Sequence, residues 1–192
     1  MALMHALGKM NVEVLVREVM RSALITHSNT EAINGALALA WAINGLVRRD
    51  TPPVMLISDV LSFIDEDAVA RNLRVAERLL FARTGPEDDA AALAEIGVSG
   101  WVAEAVPAAL YLCGAFADDF RGAVLAAAQA GGASDAIGAM VGALCGAWVG
   151  AEHLPVDLVE GLESRMYILM AAPALYRVAQ RRAGLFLQLH PR

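Results

Sequence analysis

Side chains able to hold a metal ion or move a proton cluster in two stretches of this 192-residue chain. Ile25-Thr-His-Ser-Asn-Thr-Glu31 sets His27 among hydroxyls and a carboxylate. Gly131-Gly-Ala-Ser-Asp135 places Ser134 and Asp135 at the head of a glycine-rich apolar run. An imidazole can ligate a metal or contact a polar ligand, and a carboxylate beside a hydroxyl suits a hard divalent cation. Each group also has a structural reading. Ser28 and Glu31 have capping-box spacing, with Ser28 accepting from the Glu31 amide and Glu31 reaching back. Asp135 is equally an anion in the first turn of a helix. The acidic runs Asp65-Glu66-Asp67, Glu87-Asp88-Asp89 and Asp118-Asp119 read as helix starts. Glu104 sits in an apolar stretch, where burial would demand a partner. Cys113 and Cys145, both among small apolar residues, read as buried reduced thiols.

Helices must position these groups. The chain has 38 alanines and almost no β-branched or aromatic runs; Val54-Met-Leu-Ile57 is the one short candidate strand. Apolar residues at 12, 15, 16, 19, 20, 23 and 24 have a helical period. A long helix is expected from Thr30 to Val47, stopped by Thr51-Pro52-Pro53. Asp65 to Phe81 is amphipathic, with Arg71, Arg74 and Arg78 opposite Val69, Leu73, Ala76 and Leu80. Short and kinkable helices follow over Glu87–Glu95 and over Trp101–Cys113, which contains Pro107. Phe116–Ala130 is then broken by Gly131-Gly132. In Ala133–Gly150 the glycines fall at 138, 142, 146 and 150. Each costs a helix about 1 kcal/mol relative to alanine, so the row predicts close approach of a neighbouring helix. A last helical pair spans Val156 to Arg182, and the tryptophans at 41, 101 and 148 read as core.

Composition excludes several classes. Hydrophobic residues make up 57%, charged residues 19%, and the mean hydropathy is +0.50, the opposite of a disordered chain. A net charge of −6 with no clustered Lys/Arg disfavours nucleic acid. The longest uncharged runs, 32–47 and 136–151, have 16 residues each. A membrane span needs ~20, so no membrane partner is expected. No signal-peptide pattern opens the sequence, which makes the cytoplasm the expected location.

Three ordered stretches resemble the ADP-ribosylglycohydrolase family, all-helical hydrolases of ADP-ribose linkages with a two-metal site. Ile25-Thr-His-Ser-Asn-Thr-Glu-Ala-Ile-Asn-Gly35 is similar to the family's Thr-His-Ser-Asp-x-x-Ala-x-x-Gly. Gly100-Trp-Val-Ala-Glu-Ala-Val-Pro-Ala-Ala-Leu110 is similar to its Gly-x-x-x-Glu-x-x-Pro-x-Ala-Leu helix. The run 131–150 resembles its Gly-Gly-Asp-Thr-Asp-Thr-Ile-x-Ala-x-x-Gly-Ala-x-x-Gly-Ala-x-x-Gly segment. The resemblance implies an all-α orthogonal multi-helix bundle, residues 1–192 forming a single domain equivalent to the C-terminal half of that fold. It implies His27 and Ser134 as contacts to an ADP-ribose-type ligand, Asp135 as a metal ligand, and Mg²⁺ or Mn²⁺ as the cofactor.

Two departures bear on activity. The family's N-terminal half, with its Thr-Asp-Asp metal motif and diphosphate-binding Gly-Asn-Gly segment, has no counterpart here. Within the third motif the first aspartate is Ala133, the middle threonine is Ser134 and the final threonine is Ala136, so Asp135 alone remains as a metal ligand. The inherited activity, metal-dependent hydrolysis of N- or O-glycosidic ADP-ribose linkages, is therefore expected to be impaired in this chain alone. The alternatives are one half of a split enzyme or a non-catalytic structural protein of the kind resembling crystallins. Helix faces left without the other half predict self-association or a partner chain.

Overall fold

Proline, glycine and capping side chains divide the chain into helices with few residues between them. The computed structural model describes residues 2–6 and 11–182, and among these every regular element is helical. The α-helices are α1 (Ala2–Ala6), α2 (Val12–Ala23), α3 (Thr30–Arg48), α4 (Leu56–Leu61), α5 (Ala68–Ala82), α6 (Asp89–Ile96), α7 (Val102–Phe116), α8 (Phe120–Gln129), α9 (Ser134–Val149), α10 (Val156–Glu160) and α11 (Arg165–Arg182). The one candidate strand, 54–57, is helical. Pro53 starts a 3₁₀ turn that runs straight into α4, where Leu56, Ile57 and Val60 are buried. No helix among the described residues is long and apolar enough to cross a membrane.

Caps fall where side-chain oxygens meet first-turn amides. Asn11, Asn29, Asp67 and Asp119 cap α2, α3, α5 and α8 by accepting from the amides of Val14, Ala32, Ala70 and Gly122. The cap of α3 is therefore Asn29, one residue later than the Ser28 box expected from sequence. Glu31 is drawn away from that box because its carboxylate accepts from Trp101 Nε1, 3.1 Å away.

Helix α7 is the centre. All but a few of its residues are buried, including Tyr111 and Cys113, and α3, α5, α8 and α9 pack around it. Cys113 lies against Cys145 of α9, both buried and reduced; that contact and burial push the Cys113 thiol up. Trp41 and Trp148 pack against the core from its edge, while Trp101 lies outside it. Trp101 is 51% exposed, and Trp41 and Trp148 are half-buried. Each donates its indole N–H to a carboxylate: Trp41 to Asp59, Trp101 to Glu31 and Trp148 to Asp118. An indole needs a partner for that N–H, and the bundle surface supplies one where the core offers none.

Candidate functional site

The placement of His27, Ser134 and Asp135 follows from the direction in which three helices run. At one end, Trp101 just before α7 reaches Glu31 in the first turn of α3. A Cβ on Gly35 of α3 would stand 2.2 Å from Val102 at the start of α7, so only glycine admits that approach. The Ala133 amide, at the head of α9, donates to Val98 O at 2.7 Å. Gly132 turns the chain into this bond with φ +55, and a Cβ there would lie 2.1 Å from the same Val98 oxygen. At the other end, the Arg49 guanidinium at the close of α3 covers the Trp148 ring of α9 at 4.4 Å. Helices α3, α7 and α9 therefore run parallel, with their N-termini gathered at one end of the bundle. Their positive dipole ends converge there, a setting that favours an anion.

The three candidate residues share that end without a hydrogen bond between them. His27 follows α2 and is exposed; its Nδ1 meets Thr26 Oγ1 at 2.8 Å and its amide donates to Ala23 O. It stands at the mouth of a cleft of about 460 Å³ whose floor includes Ala32, Ala36 and Leu39 of α3. Ser134 begins α9 and is half-buried. Asp135 is exposed, with Oδ1 accepting from the Ala136 amide at 2.8 Å. The N-cap position is Ala133, whose side chain cannot accept a hydrogen bond.

The donor set decides what these residues can hold. Mg²⁺ takes near-octahedral oxygen ligation. Asp135 offers one carboxylate with alanines at 133 and 136, and no group of three or more His, Cys, Asp or Glu able to hold a metal occurs among the described residues. These residues do not by themselves fit a two-ion centre.

Glu104, noted in the sequence as a carboxylate needing a partner, supports this end from beneath. Its Oε2 accepts from the Ser99 amide at 2.9 Å, and hydrogen bonding by Ser99 holds its carboxyl below the ordinary glutamate value of 4.5. The loop 97–101 carries both Val98 O and Trp101, so Glu104 braces the segment that joins the three N-termini. A carboxyl with a lowered folded-state pKa contributes stability above 4.5 and loses it as pH falls through the folded value. Glu104→Gln is expected to cost roughly 1 kcal/mol near neutrality, since the side chain is partly solvated. In urea unfolding the gap between variant and parent should close in acid; a gap of constant size would show that the charge is not what braces the loop.

The sequence profile of the ADP-ribosylglycohydrolase family matches residues 1–184. An uncharacterized protein of Archaeoglobus fulgidus is 32% identical over 169 residues, 83% of this chain and 50% of the relative. The uncharacterized protein YegU of Escherichia coli is 27% identical over 190 residues, 90% of this chain and 55% of the relative. The chain spans about half the length of these curated relatives.

Proposed function

The chain belongs to the ADP-ribosylglycohydrolase family, and from that premise we propose that it keeps the ligand-facing end of the family fold while lacking the donors for hydrolysis. The ligand class is an ADP-ribose-type molecule, and the inherited reaction is metal-dependent cleavage of an N- or O-glycosidic ADP-ribosyl linkage. The observation that carries the reading is the shared N-terminal end of α3, α7 and α9, with His27 just before α3 and Ser134 and Asp135 opening α9. His27 and the Ser134 hydroxyl would contact the ligand's polar groups, and the helix ends would favour its diphosphate. Asp135 would lend one carboxylate to Mg²⁺ or Mn²⁺, with the remaining ligands coming from outside this chain. The second reading, a non-catalytic interaction protein, is favoured by the alanines at 133 and 136 flanking that carboxylate.

Thermal unfolding with and without ADP-ribose, Mg²⁺ and Mn²⁺ tests the proposal. A ligand that binds only the folded chain adds about 2.7 kcal/mol at a hundredfold excess over Kd. For a chain of this size that raises the midpoint by roughly 5–11 °C. The expected result is such a rise with ADP-ribose, lost in His27→Ala, and no release of ADP-ribose from an ADP-ribosylated protein by the chain alone. A cooperative transition that ignores the nucleotide would sink the ligand reading. Turnover by the purified chain would overturn the assignment of the missing donors.

A further inference from the structure

The first three turns of helix α11, Met166 to Tyr176, carry large apolar side chains and no charge. Met166, Tyr167 and Met170 form one face and are 69%, 74% and 72% exposed. Ile168, Leu175 and Val178 stand 44–47% exposed around the rest of the helix. Ala179 is its one buried residue among those described, and α11 rests on α1. An uncharged apolar stretch this exposed is normally covered by a partner surface. At its first turn the Nε of Arg165 is buried with no hydrogen-bond partner, a donor that an incoming carbonyl or carboxylate would satisfy. The glycine row of α9 is uncovered as well, since a Cβ at Gly138 or Gly142 would meet nothing within 4 Å.

Length identifies the occupant. The curated relatives are about twice as long as the part that this chain matches. We propose that the exposed face of α11, with the open row of α9, is the docking surface for polypeptide equivalent to the part of the relatives' length that this chain does not span. The contact is extensive and apolar, of the permanent kind, and does not depend on whether ADP-ribose binds.

The test joins the unmatched part of the Archaeoglobus fulgidus relative to this chain, in the relative's own order, and compares the fusion with the chain alone. Amide exchange along α11 is expected to slow by on the order of tenfold or more in the fusion. The double substitution Met166→Glu and Met170→Glu alters solvent-facing positions. It should leave the melting temperature of the chain alone within about a degree and lower that of the fusion by several degrees. The Archaeoglobus fulgidus relative itself, intact and cut to its matched part, gives the same comparison without a foreign junction. The proposal is overturned if the helix equivalent to α11 exchanges equally fast in the intact and cut relative, or if Met166→Glu and Met170→Glu act alike in chain and fusion. It is also overturned if light scattering finds the chain alone dimeric through α11, because a second copy would then be the occupant. Protection of α11 without any response to ADP-ribose would leave this inference standing and remove the ligand reading.

Discussion

Replacing Asp89 by alanine is expected to destabilise the fold by about 3–5 kcal/mol. The residue is 6% exposed and joins three helices. It accepts from Arg83 Nε at 2.7 Å and Nη2 at 3.0 Å, just past the end of α5, and from the Tyr111 hydroxyl of α7 at 2.8 Å. Burial first, then the hydrogen bond to Asp89, holds the Tyr111 hydroxyl well above the usual tyrosine value, while the same carboxylate raises Arg83. Both donors stay protonated at any ordinary pH, so removing the acceptor strands a guanidinium charge and a phenol together. Asp89→Asn keeps part of the hydrogen bonding and should lose less. Replacing all three residues with apolar side chains of similar volume should restore much of the loss, because the cost lies in unanswered polar groups rather than in an unusually strong pair. Urea unfolding with an unchanged m-value reads these differences. A loss under about 1 kcal/mol for Asp89→Ala would mean that water reaches the Arg83 charge and replaces the carboxylate.

The double substitution Gly138→Ala, Gly142→Ala is expected to move stability the other way, raising it by about 2 kcal/mol. Helix periodicity alone forecasts a loss, because a glycine row signals a neighbour too close for a Cβ. The fold places nothing within 4 Å of either added methyl group. What remains is the backbone freedom that each glycine loses on folding, about 1 kcal/mol relative to alanine. The melting temperature of the isolated chain should rise by roughly 4–8 °C. A fall instead would show that the chain in solution already has something seated on α9. In the fusion with the unmatched part of the Archaeoglobus fulgidus relative the sign should reverse, since the same methyl groups would meet the docked backbone.

Local chemistry was legible from the residues themselves. Alanine and leucine content, the 3.6-residue period and the breaks at Thr51-Pro52-Pro53 and Gly131-Gly132 yield the helical state and most boundaries. These signals act within a turn or two of chain, where propensity and capping operate. The motifs around His27 and Asp135 also marked the family without any knowledge of packing. Errors began where a residue chose between a near partner and a distant one. Glu31 leaves its capping partner for Trp101, 70 positions away. Each tryptophan turns its indole N–H to a carboxylate at the edge of the bundle, and Trp101 leaves the core altogether. Asp89 stands in an acidic run that resembles those at 65–67 and 118–119 in sequence, and only the crossing of α5, α6 and α7 sets it between Arg83 and Tyr111.

The candidate site divides in the same way. Residue types alone determined that Asp135 is the one carboxylate of its motif, with alanines at 133 and 136, because ligand count is a property of composition and spacing. That His27, Ser134 and Asp135 occupy one end of the bundle was decided by the parallel run of α3, α7 and α9. Their direction rests on contacts such as Gly35 against Val102 and Val98 O with the Ala133 amide. Such contacts span dozens of residues and are selected by the packing of the whole helix set, so no local pattern encodes them. The same holds for the uncovered faces of α9 and α11: sequence specifies an apolar helix, but only the assembled bundle shows which of its sides remain without a neighbour.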